Sequence, residues 1–266
     1  MDDRRYNLAI ETSSGYGSVS LGRGDQWVGS LDFTGSGRAG PVPNGPRPDK
    51  NRLDLMPAID RLTCLHHVDR SQIAQVYLSI GPGSFTGLRV AVVTAKTMAM
   101  VLNVKLVAVP TTDVVAQHVL KKATQTTGFE HLAVCLNTKQ KTAYAQLFDL
   151  DDRHWQRRGP ASVQPIEVLL ETAPRPLTIV TTAGVWPDVA LGPNVTHLCD
   201  QPVIAHSDDV WQLGRAMAQE GCFADPRTLL PLYARPPEAQ QLWDQRHRLA
   251  AGSPSTATPA TASTLL

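Results

Sequence analysis

The residues with the clearest chemical potential lie in one glycine-rich run, Ser79-Ile80-Gly81-Pro82-Gly83-Ser84-Phe85-Thr86-Gly87-Leu88-Arg89. A buried-type apolar strand, residues 76–80, feeds the run, and a long helix to about residue 102 leaves it. Such a passage turns backbone N–H groups and the positive end of the helix dipole toward an anion, so phosphate is the chemistry it offers. It has no Gly-Lys-Ser/Thr ending, so it is not a P-loop. Ser84 is not centred between glycines as a nucleophile elbow requires. The same residues also suit a tight turn that packs a helix against a sheet, and the local pattern favours that reading.

Glu11 ends a first apolar strand, residues 6–10, and opens the turn Glu11-Thr12-Ser13-Ser14-Gly15-Tyr16. A carboxylate there can hold a metal–phosphate complex or sit solvated in the turn. With the glycine run it defines the candidate nucleotide-proximal set: Glu11, Thr12, Gly81, Gly83, Ser84 and Thr86. The eight histidines include the pair His66-His67, but no His-x-x-x-His or His-Glu-x-x-His spacing, which argues against a helical zinc or iron site. Arg157-Arg158 and Arg246-His247-Arg248 are short basic runs of the kind that face solvent.

These residues must be held by elements that alternate along the chain. Residues 6–10, 17–22 and 26–33 read as an antiparallel ribbon. Residues 52–65 read as a helix with Leu55, Ile59, Leu62 and Leu65 at helical spacing. Residues 105–109 form a strand closed by Pro110, and a helix covers 112–122. The second half starts over: a strand at 131–136, a polar turn at 137–140 and an alternating strand at 142–148. A helix at 165–172, strands at 178–181 and 195–198, and a helix at 208–219 follow. Asn7-Leu8-Ala9-Ile10 and His131-Leu132-Ala133-Val134 open matching units, each running on to a tryptophan, Trp27 and Trp155. The matching turn of the second unit offers Asn137, Thr138 and Lys139, with no second carboxylate, which weighs against a two-carboxylate nucleotide site. The expected fold is α/β, with duplicated lobes of mixed sheet covered by helices: an amino-terminal lobe at 1–110 and a second at 111–240. Residues 34–48, with four Gly and four Pro in fifteen positions, read as a loop insertion, and the uncharged 250–266 as a disordered tail.

The helix after the glycine run has two apolar sides. Phe85, Leu88, Val92, Ala95, Ala99 and Leu102 form one stripe, and Val90, Val93, Met100 and Val101 much of another. A helix of this kind is buried twice, within its own domain or against a partner, and periodicity leaves both open. The candidate interface set is Arg89, Val90, Val93, Thr97, Met100 and Val101.

Composition narrows the function classes. The chain has 266 residues, 25 Lys+Arg against 24 Asp+Glu, 42% apolar residues and a formal charge of +1. That balance excludes nucleic-acid binding by bulk electrostatics, though not contact with RNA through a partner. The most apolar stretch, residues 90–102, is interrupted by Thr94, Lys96 and Thr97 and is too short by itself to span a bilayer. The segment Met1-Asp2-Asp3-Arg4-Arg5 leads straight into a strand without the apolar run of a signal peptide. Cys64, Cys135, Cys199 and Cys222 form no Cys-x-x-Cys pair. The expectation is a cytoplasmic protein with reduced thiols.

Taken together, four segments resemble the TsaB (YeaZ) family, which serves threonylcarbamoyladenosine synthesis on tRNA. They are Leu8-Ala9-Ile10-Glu11-Thr12-Ser13 with Ser18-Val19-Ser20-Leu21, Leu55-Met56-Pro57-Ala58-Ile59-Asp60, the glycine run through Arg89, and Pro231-Leu232-Tyr233-Ala234-Arg235-Pro236-Pro237-Glu238-Ala239. The glycine run is shared with the catalytic paralogue TsaD, but this chain lacks the helically spaced histidine pair of TsaD-like enzymes. The resemblance implies an actin/Hsp70-type (ASKHA, RNase H-like) double lobe and a non-catalytic subunit that pairs with a TsaD-like protein through helices of the first lobe. It further implies a TsaE-like ATPase in the complex, tRNA contact through the complex, an adenine nucleotide near the interface, and a homodimer as the alternative association of the chain alone. Glu11 stands where the family usually has Asp, Asn51 where it often has His, and Asn137-Thr138-Lys139 where it commonly has Asp-Ala-Arg. These departures weaken nucleotide or metal binding by this chain and leave the scaffold role intact. An ASKHA-type ATPase or phosphotransferase acting on its own is the alternative function. A peptidase role has neither a nucleophile elbow nor a zinc motif to support it.

Overall fold

The structure, a computed structural model, describes residues 5–14, 16–33, 54–123, 130–138, 142–152, 154–181, 191–198, 205–235, 243 and 247. The insertion at 34–48, Asn51, Lys139, Cys199 and the tail at 250–266 lie outside the described residues.

The first strands follow the predicted ribbon. Strands β1 (Tyr6–Glu11), β2 (Gly17–Arg23) and β3 (Gln26–Phe33) pair antiparallel in sequence. After helix α1 (Leu55–Leu65), strand β4 (Ile73–Gly81) inserts parallel to β1. Helix α2 (Phe85–Leu102) then returns the chain to strand β5 (Lys105–Pro110), parallel to β4. The sheet order is β3-β2-β1-β4-β5.

The second half repeats this order. After α3 (Thr111–Ala123), β6 (His131–Asn137) takes the place of β1, and β7 (Thr142–Asp151) pairs antiparallel with it. The short strands β8 (His154–Arg157) and β9 (Ser162–Pro165) both flank β7. Helix α4 (Ile166–Thr172), β10 (Leu177–Thr181), β11 (Val195–Leu198) and α5 (Ser207–Gln219) complete it. The order β11-β10-β6-β7-β8 mirrors the first sheet, with β10 parallel to β6 and β11 parallel to β10. The duplication read in the strand pattern is therefore a duplication of sheet topology.

Alternation along the strands divides the core. Leu8, Ile10, Val19, Leu21, Val76 and Leu78 face α1 and α2. Their neighbours Ala9, Tyr77, Val107 and Val109 point to the opposite side and share a cluster with Leu132, Val134, Phe148 and Trp211. The far side of the second sheet packs Ala133, Cys135 and Ile179 against Ile166, Leu169 and Leu170 of α4. Burial in this third cluster pushes the Cys135 thiol up to about 12, so it sits there as a small apolar group.

Helix α5 follows the second sheet in the chain yet packs on β1, β2, β4 and β5 of the first. Two glycines permit this. A Cβ on Gly22 of β2 would stand 2.1 Å from Trp211 Nε1, and one on Gly214 of α5 would stand 2.4 Å from Tyr77 Cγ.

Two expectations are corrected. Leu65 is exposed, because the buried face of α1 runs through Leu55, Ala58, Ile59, Leu62 and Thr63. Helix α2 begins at Phe85, which gives an apolar helix of 18 residues, by length and composition alone sufficient to cross a membrane. Its Leu88, Ala91, Val92 and Ala95 are instead buried as part of a helix that covers β4 and β5.

The chain divides into two compact units, Met1–Ala234 and Arg235–Leu266. In the second, the Trp243 and His247 rings stack with centroids 3.7 Å apart, and His247 Nδ1 donates to the Trp243 carbonyl at 2.8 Å.

Candidate functional site

The glycine run opens α2 as the sequence predicts, and its backbone is engaged by the protein itself. Ser84 is the N-cap: its side chain accepts from the Gly87 amide at 3.3 Å, and its own amide donates to the Ser13 carbonyl at 2.6 Å. Thr12 Oγ1 donates to the Gly87 carbonyl at 2.9 Å. A Cβ on Gly83 would stand 2.3 Å from the Ser13 carbonyl oxygen, and one on Gly87 2.1 Å from that of Thr12. Gly81, at φ +116°, adopts a backbone conformation suited to glycine and leaves room for the Leu232 carbonyl. The glycines thus let the first turn and the carboxyl-terminal segment close onto the loop. Thr86 is exposed on the first turn of α2.

Glu11 lies inward of this junction with no solvent exposure. Its Oε1 accepts the Ser13 amide, and its Oε2 is buried with no hydrogen-bond partner. Burial pushes the carboxyl pKa up, offset only in part by Ser13, by the nearby Ser79 hydroxyl and by the charge of His206. Ser79, also fully buried, shares a hydrogen bond of 2.8 Å with Thr111. A metal–phosphate complex needs an ionised, reachable carboxylate and free loop amides. Glu11 is sealed, and Ser84 N and Gly87 N are spent on Ser13 and on the N-cap, so this carboxylate and these two amides do not fit such a group.

The start of α5 carries a polar cluster that the sequence reading did not single out. The N-cap His206 is 2.9 Å from Asp32 Oδ1 through Nε2 and 3.5 Å from Asp208 Oδ2 through Nδ1. Hydrogen bonds that its ring donates to these two carboxylates raise its pKa to about 10 against a desolvation penalty. Burial alone would raise the Asp208 carboxyl; hydrogen bonds from His206, Ser20 and Trp27 outweigh it and hold Asp208 well below the usual carboxylate range. Ser20 Oγ donates to Asp208 Oδ1 at 2.6 Å, and Trp27 Nε1 donates to the same oxygen at 3.1 Å. The Ser207 amide donates to Ser18 Oγ at 2.9 Å. Buried Asp209 pairs with Lys121 at 2.6 Å and His118 at 3.0 Å on α3. Every partner belongs to the protein, so the cluster reads as a joint between α5, the first ribbon and α3. Among the described residues, no group of three or more His, Cys, Asp or Glu is arranged to hold a metal ion.

The outer face of α2 is different. Val93 is 62% exposed, Met100 84% and Val101 74%, with Val90 and Thr97 also exposed. Arg89 shares that face, but it is held from within: Nε donates to the Tyr233 hydroxyl at 3.0 Å, and the guanidinium carbon lies 3.8 Å from the centre of the Phe85 ring. Phe85 and Tyr233 are themselves 5.2 Å apart. The segment bearing Tyr233 crosses α2: Lys96 Nζ donates to the carbonyls of Arg227 and Leu229, and the Leu232 amide donates to the Ile80 carbonyl at 2.7 Å. Sequence spacing could not find this stack, because Tyr233 lies 144 residues from Arg89. A pocket of about 420 Å³ opens beside Val90 between the starts of α1 and α2, with Phe33, Met56 and Pro57 on its apolar wall and Thr12, Ser14 and Ser84 on its polar one.

Comparison with known proteins adds a family match over part of the chain and a shared fold. Residues 49–175 match the TsaD family, tRNA N6-adenosine threonylcarbamoyltransferase. No curated protein matches the chain. Among solved structures, an uncharacterized protein with similarity to peptidase YeaZ from Pseudomonas aeruginosa is similar with a TM-score of 0.65 at 22% identity, over 87% of this chain and 100% of that one. YeaZ from Pseudomonas aeruginosa is similar with a TM-score of 0.64 at 20% identity, over 85% and 100%. The shared fold is the duplicated actin-like α/β architecture described above. The matched family is one of tRNA threonylcarbamoyl modification. The chain thus carries a TsaD-like segment over residues 49–175 within a fold that it shares with the YeaZ structures.

Proposed function

We propose that this chain is a non-catalytic subunit that pairs with a TsaD-like protein through the outer face of α2. It would hold that partner in the form that transfers threonylcarbamoyl from its adenylate to the adenosine next to the anticodon. A TsaE-like ATPase joins the pair, tRNA is met through the complex in the cytoplasm, and any adenine nucleotide sits at the interface between subunits. The observation that carries this reading is the exposure of Val93, Met100 and Val101 on a helix whose other side is buried in the core. Contiguous apolar surface on a helix that is otherwise core marks an interaction site. The sealed Glu11 weighs against an independent ATPase.

The test is light scattering on a sizing column, with the chain alone and mixed with the TsaD-like protein of the same genome. A heterodimer peak is expected, and Val93→Asp should weaken pairing about 100-fold or more, because burying an unpaired charge costs several kcal/mol. The variant should melt like the parent chain, since residue 93 faces solvent in the monomer. No peak with the parent chain, or normal pairing by the variant, overturns the reading.

A further inference from the structure

We propose that Arg89 is a preorganised carboxylate receptor on the pairing face and that Tyr233 is its positioning residue. The inference rests on the pairing reading above and names the polar anchor of that same surface. Arg89, Val93, Thr97 and Met100 follow one another at helical spacings of four, four and three, so the guanidinium heads the exposed ridge of α2. An arginine on such a ridge usually samples many rotamers. Here one face of the guanidinium lies on Phe85, and Nε is occupied by the Tyr233 hydroxyl. That contact consumes the inner donor. No described residue accepts from Nη1 or Nη2, and no described carboxylate pairs with the side chain. The outer pair of donors is the planar fork that suits a carboxylate, and its rotamer entropy is already lost before binding.

The surroundings favour a protein carboxylate over a nucleic-acid phosphate. The ridge beyond Arg89 is Val90, Val93, Thr97, Met100 and Val101, without a second cation. Lys96, the other base on α2, is turned onto the carbonyls of Arg227 and Leu229. A nucleic-acid backbone is held by several cations together. One fork at the head of an apolar ridge fits an Asp or Glu flanked by apolar side chains on a partner helix. The carboxyl-terminal segment, which reaches this face through Tyr233, thereby sets the geometry of a contact made by α2.

The experiment is titration calorimetry of the TsaD-like protein of the same genome into the full-length chain and into Arg89→Ala, Arg89→Lys, Tyr233→Phe and Val93→Asp, at low and high salt. Arg89→Ala should weaken binding about 10- to 100-fold. Arg89→Lys should recover little of that, since an ammonium neither forks nor stacks in the same way. Tyr233→Phe keeps the ring and loses the hydroxyl that holds Nε, so binding should fall about 3- to 10-fold with no change in the melting curve. The salt dependence should be shallower in Arg89→Ala than in the parent chain. Unchanged binding by Arg89→Ala, with Val93→Asp abolishing it, overturns the receptor and leaves the pairing face standing. Normal binding by Val93→Asp overturns the pairing face itself, and the receptor with it. If Arg89→Ala pairs normally but the complex loses grip on tRNA, the fork reads phosphate and the carboxylate assignment is wrong. Full binding by Arg89→Lys or by Tyr233→Phe likewise removes the fork geometry or the positioning role.

Discussion

Thr12 and Gly87 meet side chain to backbone across 75 residues of sequence, the threonine hydroxyl donating to the glycine carbonyl at 2.9 Å. The Thr12 carbonyl stands where a Gly87 Cβ would be, at 2.1 Å. The glycine run is thus a joint between the first turn and α2, held at backbone distance. Gly87→Ala must push the two apart, and overpacking of this kind costs about 1–3 kcal/mol. The expected outcome is a lower melting temperature in calorimetry, with Ser84→Ala adding a further loss of about 1 kcal/mol from the missing cap.

Glu11 should make the protein less stable as pH rises. Its folded-state pKa is raised above the ordinary value of 4.5, so the fold favours the protonated form. That contribution is fully present below the ordinary value and is lost as pH climbs through it toward the raised one. Glu11→Gln keeps an acceptor for the Ser13 amide and removes the charge. Urea titrations should show the variant equal to the parent chain at low pH and more stable at neutral pH. A parent chain that gains stability relative to the variant above pH 4.5 contradicts this assignment.

His206 carries the same sign from the basic side. Hydrogen bonds to the Asp208 and Asp32 carboxylates raise it from 6.5 to about 10, so the protonated ring is favoured in the fold. Its contribution is fully present below 6.5 and fades as pH rises through about 10. His206→Gln should therefore flatten the fall in melting temperature across that window. NMR titration of the ring carbons would locate the midpoint directly, and a midpoint near 6.5 would remove the Asp32 and Asp208 pairing from the account.

Gly214→Val should disturb the packing of α5 on the first sheet more than any exposed substitution on that helix. Its Cβ would enter the Tyr77 ring, which is fully buried. The near-ultraviolet dichroism of Tyr77 and Trp211 should weaken together, with an expected cost of about 1–3 kcal/mol or more. Retention of the aromatic signal would mean that the helix slides without loss.

What the sequence made legible follows from periodicity. The first ribbon, α2 and the restart near His131 carry strong period-2 or helical patterns, and each element appears within a few residues of its expected place. Strands β8 and β9, with His154-Trp155-Gln156-Arg157 and Ser162-Val163-Gln164-Pro165, do not alternate cleanly and exist because β7 offers them an edge. The apolar stripe of α5 predicts a buried face but not which sheet it meets. Likewise the Arg89–Phe85–Tyr233 stack and the His206 cluster depend on pairings between distant segments, which no local spacing encodes.

The crossing of α5 also bears on the order in which the molecule is made. Ser20 reaches its partner Ser207 across 187 residues, and Tyr77 and Ala9 wait for the same helix. At the usual pace of synthesis, on the order of 5–20 residues per second, the inner face of the first sheet stays bare for about ten to forty seconds after its first strands emerge. Until then the nascent chain presents an apolar sheet surface of the kind that chaperones bind, and the earliest strands are completed only when helix α5 arrives.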